Sequence, residues 1–344
     1  MAEPPAAVRP VVGRFAPSPS GRMHLGNVLC ALVAWLSVRS QGGRMVLRME
    51  DLDPARCRPA YARQLLEDLE WLGLDWDEGP PPPGGSFRPQ QPCGPYWQSQ
   101  CAPLYTQALQ ALEAKGLVYP CYCSRAQLHA AAAPHISDGT PVYPGTCRGM
   151  PPARRAVLEA AGRRPAARLR VPDAGDPAGW IAFTDRHLGP QRQCLAAGCG
   201  DFLLRRSDGV FAYQLAVVVD DGRMGITEVV RGRDLLSSTP RQIYLQRLLG
   251  LQTPVYRHIP LLTAPDGRRL SKRERSLDLG ALRQQFTAPV LVGRLAAAAG
   301  LVPAGTEAWP RQLVGIFSWN SLPQEDIIIR EKGWSSWPEK KTRN

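Results

Sequence analysis

The chain has 344 residues, enough for one large or two ordinary domains with a sizeable core, and its 44% hydrophobic and 21% charged residues fit a soluble globular protein. Its 42 basic against 30 acidic residues leave a net charge of +12, which favours a polyanionic partner, with nucleic acid the usual one. No apolar run approaches the ~18 residues of a membrane span, and Met1-Ala2-Glu3-Pro4-Pro5 lacks a signal-like pattern, so no membrane partner and a cytoplasmic location are expected. In chain order, Val11–Phe15 is predicted as a strand and Leu25–Ser40 as a helix. Arg44–Glu50 is predicted as a second strand ending in acids, and Tyr61–Leu72 as a helix from its apolar spacing. Strand and helix alternate here, which argues a parallel sheet with helices on its faces and ligands at the carboxyl ends of the strands. Arg14 and Glu50 sit at two such ends. After a Pro/Gly-rich break from Gly79, Leu104–Gly116 is predicted as a helix, and residues 118–205 as an inserted lobe. Strands are predicted to resume over Asp201–Asp221 and Gly225–Leu235, followed by a helix over Pro240–Leu249. Leu282–Gly300 is predicted as one helix, with a second near 308–317 and a polar tail at the end.

Two loops stand out chemically. Arg14 to Asn27 is a Pro/Gly/Ser-rich turn between a strand and a helix start, where unpaired backbone N–H groups and the helix dipole favour an anion. His24 at that turn adds a proton-bearing donor. Far downstream, Pro265-Asp266-Gly267 is a turn that presents a cluster of cations, Arg268, Arg269, Lys272 and Arg273, on an exposed loop. A third candidate is Cys121-x-Cys123 followed by Cys147 after a Pro/Gly turn, thiolates at a spacing that suits zinc. From chemistry alone the fourth ligand stays open, and His129 and His135 in the intervening loop are the generic choices. The other six cysteines, Cys30, Cys57, Cys93, Cys101, Cys194 and Cys199, read as reduced thiols, because an odd total without regular spacing is no disulfide framework.

His24-Leu25-Gly26-Asn27 and Leu270-Ser271-Lys272-Arg273-Glu274 resemble the two signatures of class I aminoacyl-tRNA synthetases. Arg14–Gly21, Leu47–Asp53, Gly200–Arg206, Phe211–Asp221 and Glu228–Leu235 narrow that resemblance to the glutamate-specific branch. Within it the chain is similar to the short paralogues that lack an anticodon-binding domain and glutamylate queuosine in tRNA(Asp). The resemblance implies an α/β fold, a Rossmann-like parallel sheet with an inserted zinc-binding lobe and a short helical C-terminal segment. The expected divisions are 1–117 and 206–275 for the two halves of the catalytic domain, 118–205 for the lobe, and 276–344 for the C-terminal segment.

The same resemblance implies ATP-dependent, tRNA-independent activation of L-glutamate to glutamyl-adenylate, then transfer to queuosine in the anticodon stem-loop of tRNA(Asp). A truncated conventional enzyme charging a tRNA 3′ end is the alternative. Glutamate would be bound by Arg14, Phe15, Ala16, Pro17, Ser18, Glu50, Tyr213 and Arg231. Two arginine forks suit its carboxylates and Glu50 its ammonium. ATP, carried with Mg2+, would meet His24, Gly26, Asn27 and Lys272, with His24 and Lys272 catalytic. One structural Zn2+ per chain would be held by Cys121, Cys123, Tyr143 and Cys147. A monomer is expected.

Overall fold

A computed structural model describes residues 10–124, 142–268 and 278–329. Strand β1 (Val12–Phe15) leads to helix α1 (Leu25–Ser40), then β2 (Arg44–Leu47) and α2 (Pro59–Trp71). Helix α3 (Ala102–Ala114) is followed by β3 (Val118–Cys121), α4 (Pro152–Ala160), β4 (Ala166–Leu169), the hairpin β5 (Trp180–Asp185) and β6 (Gly189–Cys194), a single helical turn α5 (Leu195–Gly198) and β7 (Phe202–Arg205). Then come α6 (Tyr213–Arg223), β8 (Glu228–Gly232), α7 (Thr239–Leu249), β9 (Val255–Ile259) and β10 (Leu262–Thr263). The last described elements are α8 (Leu279–Gln285), α9 (Ala288–Ala298), α10 (Pro310–Leu313) and β11 (Ile327–Ile328).

Strands β2, β1, β8 and β9 lie side by side in that order, all parallel. Helix α1 is buried almost all round, from Leu25 to Val38, because it packs between this sheet and the C-terminal helices. Gly13 lets it approach: a Cβ there would stand 2.2 Å from Val38 Cγ2. The stretch between β3 and β7 forms two small antiparallel sheets, β3-β4-β7 and the β5-β6 hairpin. The hairpin returns to the main sheet through Arg186 N, which donates to Tyr256 O at 2.9 Å.

Three expectations change. Tyr213–Arg223 is a helix, not a strand. Its Val217-Val218-Val219 run reads as β, but Leu215 to Val218 are all buried, and packing overrides propensity for a helix covered on several sides. The predicted second strand stops at Leu47, because Met49 N and Glu50 N turn away to Tyr96 O and Pro17 O. The single helix over 282–300 is two, broken at Phe286–Thr287, since Pro289 belongs in a first turn and not in a helix interior. No helix among the described residues is long and apolar enough to cross a membrane.

Candidate active site

A cavity of about 440 Å3 opens at the carboxyl ends of β1 and β8. On one side of β1 the chain proceeds directly to β2; on the other lies β8, which arrives only after the antiparallel stretch. An open parallel sheet forms its ligand crevice where the winding reverses in this way. The end of β1 and the following loop supply Arg14, Phe15, Ala16, Pro17 and Ser18. The start of α1 supplies His24, Gly26 and Asn27. Glu50 enters beyond β2, Tyr213 from the first residue of α6, and Arg231 from β8. The structure thus brings every described residue expected to meet glutamate or ATP to one cavity. Lys272 lies outside the described residues. Leu262 before it lines the cavity, and Asp278 after it forms a bridge with His24.

On the helix side, His24 takes an extended backbone and caps α1. Its Nδ1 accepts from Gly26 N at 3.2 Å, while Asn27 Oδ1 accepts from His24 N at 3.3 Å. With Nδ1 an acceptor, the neutral imidazole carries its proton on Nε2. The first turn of α1 contains no acidic side chain, so the positive end of its dipole is not offset there.

On the opposite side is a network of buried charges. Arg48 is fully buried and reaches Asp221 at 2.7 Å, Glu50 at 3.1 Å and Asp220 at 3.8 Å. Asp220 also accepts from Tyr105 OH at 2.8 Å and Gln98 Nε2 at 2.9 Å. Arg14 donates from Nη1 to Val230 O at 3.2 Å, and its Nε stands 3.4 Å from Asp221. Burial pushes the Glu50 carboxyl up in spite of Arg48. Burial works in the same direction on Asp221, but Arg48 and then Arg14 outweigh it and hold that carboxyl low. Arg48, Asp220 and Asp221 are not among the residues expected from the sequence; they do not line the cavity but pair with one another and with Arg14 and Glu50, which do.

Arg231 is held differently. Its Nε donates to His258 Nε2 at 3.0 Å, Nη1 to Gln242 Oε1 at 2.8 Å, and Nη2 to Thr239 Oγ1 at 2.8 Å and Leu235 O at 3.3 Å. A guanidinium has five N–H donors, so among the described residues only one, on Nη1, is left for a ligand. The two-pronged fork expected of Arg231 is therefore not presented in this arrangement. Behind it, His258 Nδ1 stands 2.6 Å from Asp185 Oδ2.

The three cysteines converge away from the cavity. The sulfurs of Cys121, Cys123 and Cys147 all lie within 4.8 Å of one another, and Cys123 Sγ is 3.6 Å from Cys147 Sγ. The Tyr143 hydroxyl lies 3.5 Å from Cys121 Sγ and 3.7 Å from Cys123 Sγ, and accepts from Cys147 N at 2.8 Å. A tetrahedron with zinc–sulfur bonds of ~2.3 Å has edges of about 3.8 Å, so the donor set fits zinc. The three-cysteine group could hold a metal such as zinc. Burial, then hydrogen bonds with Cys121 and Cys147, hold the Tyr143 phenol well above its ordinary value, so only a cation's charge would make it a phenolate ligand. Arg168 Nε stands 3.2 Å from Cys121 Sγ, with its guanidinium 3.7 Å above the Tyr143 ring. Gly200 bridges Tyr143 with φ +62°, and a Cβ there would meet Tyr143 O at 2.7 Å. His129 and His135 lie outside the described residues.

The family model described as tRNA synthetases class I (E and Q), catalytic domain, matches residues 10–307. The chain is 51% identical over 320 residues to a glutamyl-Q tRNA(Asp) synthetase of Symbiobacterium thermophilum, covering 92% of this chain and 95% of that one. It is 50% identical over 318 residues to the protein of the same name from Nitratidesulfovibrio vulgaris, covering 92% and 94%. Among solved structures, a glutamate-tRNA synthetase from Elizabethkingia anophelis superposes with a TM-score of 0.77 at 24% identity, over 95% of this chain and 70% of that one. That likeness speaks for the fold.

Proposed function

The chain belongs to the class I tRNA synthetases of the glutamate and glutamine type, ligases whose catalytic domain it carries over residues 10–307, and we propose that it joins L-glutamate to ATP without tRNA and passes the glutamyl group to queuosine in tRNA(Asp). The observation that carries this reading is one cavity that joins a helix N-terminus with no acid in its first turn to the buried Arg14 and Arg231 and the Glu50 carboxylate. One side suits the phosphates of a nucleotide, the other an amino acid with two carboxylates and an ammonium. The acceptor comes from the printed names of the relatives.

A glutamate carboxylate attacks the α-phosphate of ATP and pyrophosphate leaves. Both partners are anions, so alignment and charge neutralisation do the work. His24 donates from Nε2 to the phosphates as the transition state forms. Lys272, with Mg2+ on the nucleotide, neutralises the departing pyrophosphate. Glu50 takes the ammonium, Tyr213 supplies a hydroxyl, and Arg14 with Arg231 holds the carboxylates. Cys121, Cys123, Tyr143 and Cys147 would hold a zinc ion, which would tie the lobe together away from the reacting atoms. The divisions at 117, 205 and 275 follow the same assignment. The net charge of +12 suits grip on an RNA backbone, which should weaken steeply with salt.

Two assays test it. ATP–pyrophosphate exchange should depend on glutamate and need no tRNA. Labelled glutamate should pass to a queuosine-containing tRNA(Asp) hairpin with a blocked 3′ end and not to the same hairpin lacking queuosine. Glutamate appearing instead on the 3′ end of tRNA(Glu) would establish a shortened conventional synthetase.

A further inference from the structure

Asp185 and His258 are among the most buried polar residues of those described, with 1% and 0% of their surface exposed, and neither lines the cavity. Asp185 closes the β5 strand of the antiparallel stretch; His258 lies within β9 of the main sheet. Asp185 Oδ1 accepts from three backbone N–H groups, His187 at 3.0 Å, Leu188 at 2.8 Å and His258 at 3.3 Å. Its Oδ2 is thereby left to the imidazole at 2.6 Å. Asp185 is an acceptor throughout, so His258 carries its proton on Nδ1, and Nε2 presents a lone pair to the Arg231 Nε–H at 3.0 Å.

The partners of Arg231 are an imidazole, a primary amide, a hydroxyl and a backbone carbonyl: four acceptors, none of them charged. Along this relay the carboxylate, Asp185, is one imidazole away; Asp221 acts on Arg231 through space and Asp234 lines the same cavity, but neither takes one of the four Arg231 hydrogen bonds. Arg14, by contrast, sits beside Asp221 at 3.4 Å. A neutral clamp fixes the orientation of a guanidinium without cancelling its charge, whereas a direct ion pair would do both.

We propose that Asp185 and His258 are positioning residues for Arg231, a carboxylate–imidazole relay from the β5 hairpin that aims the guanidinium and keeps its positive charge whole for a substrate carboxylate. This rests on the reading of the cavity as a glutamate site. It also gives the relay a part in specificity. A full positive charge at Arg231 favours glutamate, and glutamine would leave that charge unanswered in a buried site.

Asp185→Asn is the decisive variant. The asparagine oxygen still accepts from the three backbone N–H groups, but its amide now donates toward His258. The imidazole must shift its proton to Nε2, where it meets the Arg231 N–H donor to donor and turns instead to Thr239 Oγ1, 3.3 Å away, so that Arg231 loses its Nε acceptor. The glutamate KM in pyrophosphate exchange should rise about ten- to a hundredfold, with the ATP KM within about twofold. The same change made on top of Arg231→Lys should add little, since both act on one group. His258→Gln, which restores an acceptor, should shift the glutamate KM less than His258→Leu. Should Asp185→Asn fold poorly, this His258 pair carries the kinetic test alone. Nitrogen NMR of the imidazoles reads the tautomer without substrate; with five histidines in the chain, His258 is assigned from its loss in His258→Gln. Nδ1 protonated in the parent protein supports the relay; Nε2 protonated overturns it. Equal rises in both KM values, or full additivity with Arg231→Lys, would reduce the pair to a structural role. A parent protein with no glutamate-dependent exchange removes the glutamate reading instead, and the tautomer measurement still decides the relay.

Discussion

The cavity at the ends of β1 and β8 and the cysteine cluster both contain buried polar side chains, yet they are held together in opposite ways. In the cavity each charged group already has protein partners: Arg48 joins Asp220, Asp221 and Glu50, and Arg231 has four acceptors. At the cluster, three sulfurs and a phenol face one another, with Arg168 as the nearby cation. A network of paired charges is held before its ligand comes, even though Arg14 Nε and Arg48 Nε, both buried, have no hydrogen-bond partner among the described residues. A cluster of potential anions is complete only with a metal, and a metal bound only by the folded form stabilises it directly. The first site is organised by its own charges, and the second offers a donor set whose shape a metal would fix.

The largest effect that could break this contrast is metal removal. Zinc bound there would contribute on the order of 10 kcal/mol, so chelation, or Cys121→Ser, Cys123→Ser or Cys147→Ser, should empty the metal and unfold the stretch around β3 and α4. Metal content and hydrogen exchange check this. Glutamate-dependent exchange should survive within a few-fold, and its collapse would mean that the two regions are not independent. Next in size is Lys272→Ala, expected to lower kcat for adenylate formation about a hundred- to a thousandfold while moving the glutamate KM little. Equal losses in both would make it structural.

Third is the response to acid. Burial, against the pull of Asp185 and aided by Arg231, lowers the His258 pKa from 6.5 to about 4; Asp234 and the stacked Tyr256 ring also face it. Between those two values the unfolded chain binds the extra proton, so stability is full above about pH 6.5 and falls as pH drops toward 4, by roughly 3 kcal/mol. Thermal unfolding across that range should flatten in His258→Gln. The smallest expected effect concerns the fourth ligand. His129→Ala and His135→Ala should leave zinc in place if Tyr143 completes the set, and loss of metal in either would move the ligand to that histidine.

What the sequence could disclose follows the same divide. His24, Arg14 and Glu50 were legible because a strand, a turn and a helix start are local signals, and helix α1 falls on Leu25–Ser40 as read from the sequence. The Arg48–Asp221 pair joins residues 173 apart, and no spacing rule reaches that far. A hint existed in Asp220-Asp221 at the end of an apolar run, since paired acids there must be answered by buried cations. Reading that run as a strand hid it, because only a helix turns both acids toward the core. His258 gave no signal at all, being one polar residue inside a short strand.

Strand β1 has a consequence for how the chain is made. One of its edges pairs with β2 within the first 50 residues, while the other waits for β8, with Val12 N finally meeting Thr227 Oγ1 across 215 positions. At ribosomal speeds of roughly 5–20 residues per second, that interval lasts on the order of ten seconds or more. For that time the nascent chain carries a β-ribbon with an open apolar edge, Val12 and Phe15 included, with nothing of its own to close it. Closure of so distant a pairing is slow by nature. The emerging protein should therefore depend on holdase chaperones until residue 232 clears the exit tunnel, and the cavity should be completed only later still, once Thr239, Gln242 and His258 have emerged to clamp Arg231.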